Sequence, residues 1–157
     1  MRKMTNKEIV TQFEQLVSSE RKLTAQIVEY IKEIDSRRIF LELGFTSTYA
    51  YLTDGMGYTA AAAQRRIDSA RLLRELPNLG QEIQAGALNL TQLSIVAQAV
   101  RAKEKQAGVR IDAATKFEIC ADLKNQNTQV TQQKVAELLD IPIENHERKK
   151  VQQDGSV

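Results

Sequence analysis

The chain has 157 residues, 42% hydrophobic and 27% charged, with one Cys, one His and no Trp. That is enough apolar material for one core. It excludes an internal disulfide or a Cys/His zinc site, and a Ser-His-Asp triad would depend wholly on His146 in a charged tail, where the residue reads as solvated. The net charge of +2 implies no polyanionic partner by itself, although residues 59 to 110 hold eight basic side chains against four acidic ones.

Seven Gly, two Pro and eight aromatic residues set in an Ala, Leu, Gln, Glu and Arg background predict an all-α protein. The first helix opens on a capping box, Thr5-x-x-Glu8, and places Ile9, Phe13, Leu16 and Val17 on one face. Ser18-Ser19-Glu20 reads as either a break or a bend. A longer periodic run follows, with Leu23, Ile27, Tyr30, Ile31 and Ile34, then Ile39 to Leu43, before Gly44 stops it. Thr46 or Ser47 caps a short helix that ends in Gly55-Met56-Gly57. Thr59 caps a fourth, running from Ala60 through Arg74 and ending before Pro77.

Asn78 caps a short fifth helix stopped by Gly86. A sixth begins near Gln92 and frays between Lys103 and Gly108; Asp112 caps a seventh and Thr131 an eighth, which Asp140-Ile141-Pro142 closes. No run sustains strand alternation. The expected architecture is a compact multi-helix domain of seven or eight helices over residues 1–142, with a charged linker or tail over residues 143–157. No apolar stretch reaches membrane-spanning length and the N-terminus has no signal-peptide core, so a cytoplasmic protein without a membrane partner is expected.

Two units carry the parts of a helix-turn-helix: the short helix near Tyr49 with the Ala60 helix, and the Leu79 helix with the Gln92 helix. In such motifs the second helix offers polar side chains to the DNA major groove. Arg65, Arg66, Arg71 and Arg74, with Arg101, Lys103 and Lys105, are the candidate nucleic-acid contacts. On the helical wheel Arg66 falls toward the apolar side, against a carboxylate such as Asp35 or Glu42, whereas Arg65 and Arg71 point outward. A Gly turn and an N-cap also serve any pair of helices, so the motif alone is a weak signal. Arg37-Arg38 reads as a solvated face, Cys120 as core, Tyr49, Tyr51 and Tyr58 as base-stacking groups or as plugs between helices, and Arg148-Lys149-Lys150 as a flexible linker.

The order of Ile34-Asp35-Ser36-Arg37-Arg38-Ile39-Phe40-Leu41-Glu42-Leu43-Gly44, Gly57-Tyr58-Thr59, Ala63-x-x-Arg66-Ile67-x-x-Ala70-Arg71, Gly86-x-Leu88-x-Leu90-Thr91 and Val135-Ala136-Glu137-Leu138-Leu139 resembles the helical domain found ahead of bacterial HNH nuclease domains. The resemblance covers most of residues 20 to 140. It implies an accessory domain of an endonuclease whose metal site lies further toward the C-terminus. The His and Asn set of an HNH site is missing, so the chain is expected to be non-catalytic, with no cofactor and no small-molecule substrate, and to be either a truncated piece or a stand-alone relative. Two roles follow: a DNA-binding or targeting module acting on duplex DNA, or a homodimerisation or protein-interaction module in which the run from Glu20 to Leu43 pairs with its counterpart and positions a nuclease domain.

Overall fold

A computed structural model describes residues 1–140; the expected tail, with His146 and Arg148 to Lys150, lies outside the described residues. Among them are eight α-helices and no strand. They are α1 (Asn6–Ser36), α2 (Ile39–Glu42), α3 (Thr48–Ala50), α4 (Ala60–Glu75), α5 (Leu79–Ala85), α6 (Leu90–Ala107), α7 (Ala113–Asp122) and α8 (Thr128–Leu139).

Most starts are local hydrogen-bond events. Thr5, Ser47, Thr59 and Asp112 each accept, through a side-chain oxygen, the backbone N–H three residues on. Four boundaries differ from expectation. Ser18-Ser19 neither breaks nor ends anything: α1 runs unbroken for 31 residues, roughly 46 Å, because serine costs a helix only a few tenths of a kcal/mol and no Gly or Pro intervenes. That helix stops at Arg37-Arg38, not Gly44. Arg38 takes the left-handed conformation at φ 54°, and the chain then folds back so that Phe40 is buried. The sixth helix starts two residues earlier than expected, at Leu90, under a reciprocal capping box of Asn89 and Gln92, and stays helical through Lys103 to Ala107. The eighth is capped by Asn127; Thr131 sits fully buried inside it.

α4 and α6 form the centre of the domain, with α1 and α3 packed on α4, α5 on α1, and α7 and α8 on α6. Leu73, Leu93, Val96 and Leu123 fill the space between them. α3 continues into a wide turn, Tyr51–Gly55, closed by the Met56 N–H on the Tyr51 carbonyl. Gly55 permits it, since a Cβ there would come within 3.0 Å of both the Phe45 and Tyr51 rings, which pack at 5.3 Å between centroids. Gly86, at φ +79°, ends α5 beneath the Arg21 guanidinium, and the neighbouring Ala87 carbonyl accepts the Asn125 N–H.

Candidate functional site

Three of the four arginines of α4, Arg66, Arg71 and Arg74, are engaged with partners inside the domain. Asp35, near the end of α1, has a side chain only 11% exposed. Arg71 grips it with Nε at 3.2 Å and Nη2 at 3.3 Å, Arg74 adds Nη2 at 2.7 Å, and the Thr48 hydroxyl donates at 2.6 Å. Burial alone would raise its pKa. The hydrogen bonds from Arg71, Thr48 and Arg74, with the Arg71 charge, outweigh that and hold the carboxyl below its ordinary 3.8. Arg66 was expected against a carboxylate. Its guanidinium instead lies over the Tyr58 ring, 4.4 Å from the centroid, and donates to the Ala62 carbonyl, while Asp35 is occupied by Arg71, Arg74 and Thr48.

A second cluster joins α4 to α6. Asp68 is fully buried and accepts from Ser94 Oγ at 2.6 Å, Gln64 Nε2 at 2.9 Å and Arg101 Nη1 at 3.1 Å. Arg101 therefore closes an internal ion pair, as Lys116 does with Glu75 at 2.7 Å. Arg65, Lys103 and Lys105 have no acidic partner among the described residues; Lys105 is exposed and the other two are half-buried. Most of the circumference of α4 is spent on the body of the domain. Its buried residues, Ala63, Ile67 to Ala70, Leu72 and Leu73, sweep roughly 260° of its circumference at about 100° per residue, leaving a narrow open strip.

Among the described residues, α1 carries the longest row of exposed large apolar side chains. Ile9, Phe13, Leu16, Leu23, Ile27 and Tyr30 are all exposed, from 37% for Ile9 to 74% for Tyr30. Their spacing alternates four and three residues, with Glu20 at the one polar position and Ile34 completing the row. This is a coiled-coil seam about four heptads long, on a face adjacent to the stripe Ala25, Val28 and Ile31 that packs on the body. The first three turns touch almost nothing: residues 5–16 are exposed throughout. Reading Ser18-Ser19-Glu20 as an interruption split the seam into two short apolar faces. The unbroken four-three spacing was the signal that could have found it.

Among the described residues no group of three or more His, Cys, Asp or Glu side chains is placed to hold a metal ion, and no helix is long and apolar enough to cross a membrane. Burial alone pushes the Cys120 thiol up to about 11, far from nucleophilic. Fold and site define an all-α module with an apolar helical arm projecting from a bundle cross-linked by buried carboxylates. The chain belongs to the family described as a domain of unknown function, DUF222, whose model matches residues 10–154. No curated protein matches the chain, and no solved structure does.

Proposed function

We propose that the chain is a non-catalytic helical accessory module that self-associates through α1. On its resemblance to domains that precede HNH nucleases, this association would hold two nuclease domains in a fixed relation. The exposed seam from Ile9 to Tyr30 carries the reading. A large contiguous apolar surface on a soluble helix costs free energy unless something covers it, and a/d spacing is what another helix fits. Light scattering after size-exclusion chromatography tests it. The 17.7 kDa chain should run at about twice its monomer mass, and Phe13→Ser with Leu16→Ser should return it to monomer with unchanged far-ultraviolet circular dichroism, since neither side chain packs on the body. A wild-type monomer at several hundred micromolar defeats the proposal.

Contact with duplex DNA is the second reading. It is favoured by Arg65, Lys103 and Lys105, which have no acidic partner among the described residues, and by two guanidinium groups sharing the single Asp35 charge. Fluorescence anisotropy on a duplex at two salt concentrations decides it. With three or four phosphate contacts, binding should weaken at least tenfold between about 50 and 200 mM salt, and replacing Arg65, Lys103 and Lys105 by Ala should abolish it. Absence of binding at the lower salt excludes this role.

A further inference from the structure

The seam has two unlike halves. From Ile9 to Leu16 it lies on a free arm. From Leu23 to Ile34 it forms one wall of an open apolar groove of about 380 Å³ whose other wall is Leu52, Met56 and Tyr58. Among the described residues nothing packs behind the arm, and nothing lies between the two walls of the groove.

Resting on the self-association reading, we infer that the occupant of the groove is the arm of a second copy running antiparallel, so that each arm fills the other's trough. In an antiparallel coiled coil an a position of one helix meets a d position of the other. The register that uses the whole seam pairs Ile9 with the partner's Ile34, Phe13 with the partner's Tyr30, Leu16 with the partner's Ile27, and Glu20 with the partner's Leu23. The two-fold axis then falls between Arg21 and Lys22, and every contact is made twice, as an isologous interface requires.

Three observations select this arrangement. A parallel pair would set the two Glu20 carboxylates in one apolar layer, where like charges are strongly disfavoured, whereas the antiparallel pair gives each a leucine neighbour in a separate layer. A parallel pair would also lay arm on arm and leave the wall of Met56 and Tyr58 uncovered. Finally, the area suffices: the exposed parts of the six large seam residues come to roughly 650 Å² per copy, or roughly 1,300 Å² for both, within the range of stable interfaces. Of the positions that flank the seam only Glu33 is charged, and it is paired with Arg37 of its own helix at 3.0 Å, so neither edge opposes the pairing.

Nitroxide labels placed singly at Lys7→Cys and at Lys22→Cys, both exposed positions, with Cys120→Ala in each, measure the orientation by pulsed dipolar spectroscopy. At about 1.5 Å per residue the antiparallel register puts the Lys7 labels roughly 43 Å apart along the axis and the Lys22 labels within roughly 20 Å. Short distances at both sites mean a parallel pair and overturn the inference while leaving self-association intact. A Lys22 separation beyond about 30 Å overturns it as well, since the axis would lie elsewhere. No dipolar coupling at either site means that no dimer forms, and then the underlying reading fails.

Discussion

Replacing Asp68 by Ala tests whether the charges of α4 serve the fold. The carboxylate is fully buried between the two central helices and receives three hydrogen bonds, two of them from α6. Gln64 and Arg101 are partly open to water and can rehydrate; the Arg101 side chain is 53% exposed. Ser94 is 5% exposed and cannot, so its hydroxyl is left as a buried donor costing about 1–3 kcal/mol. The space vacated by the carboxylate adds about 1 kcal/mol at a site where rigid helices cannot collapse. Lost charge-assisted bonds are offset in part because a charge no longer has to be desolvated. The net is a loss of about 3–5 kcal/mol, a large share of the 5–15 kcal/mol typical of a domain. Urea unfolding followed by circular dichroism should show the midpoint falling by roughly 2 M with little change in slope. Arg101→Ala removes only the half-exposed partner and should cost about 1 kcal/mol. A loss below about 1 kcal/mol for Asp68→Ala would refute the view that this cluster clamps α4 to α6.

Asp35 should make stability depend on acid. Its pKa is lowered in the folded state, so its contribution is complete above the unfolded value near 3.8 and is lost as pH falls through the folded value; Asp35→Asn should be less stable than the wild type at pH 7 and should lose less further stability below pH 4 in thermal melts. Gln92 is 1% exposed and its amide donates to the carbonyls of Leu123 and Gln126 and to the Thr131 hydroxyl, so Gln92→Ala should cost about 2–4 kcal/mol by chemical denaturation and speed amide exchange at the start of α8. Cys120, 2% exposed with its thiol pushed up to about 11, should resist a thiol reagent at pH 8 in the native protein and react at once in urea; fast native labelling would contradict its burial.

What could be read from the amino acids alone was what neighbours in sequence decide. The caps at Thr5, Ser47, Thr59 and Asp112 need only an oxygen and an N–H three residues away, and those were legible. Thr131 was misread as a cap because its hydroxyl is claimed by Gln92, thirty-nine residues earlier in the chain. The end of α1 was misread for a similar reason: no Gly or Pro marks Arg38, and the turn is bound up with the burial of Phe40 and the anchoring of Asp35 by side chains from α3 and α4. Arginine counts on α4 said nothing of pairing, since Asp35 lies 36 and 39 residues from the two groups that hold it.

The carboxylate clamps and the apolar arm are parts of one design. Asp35 follows Ile34, the last seam residue, and two arginines of the central helix fasten it from one side while Thr48 fastens it from another. Ala25, Val28 and Ile31 hold the same helix against the body, and Ile9 lies roughly 24 Å beyond Ala25, so a tilt of a few degrees in this attachment moves Ile9 by about 1–2 Å. The layer-by-layer pairing proposed above would tolerate little such wander. Guanidinium groups suit the task because a planar fork holds a carboxylate in direction as well as distance. Two of the eight basic side chains of residues 59 to 110, Arg71 and Arg74, are thereby drawn into fixing the direction in which α1 leaves the central helix.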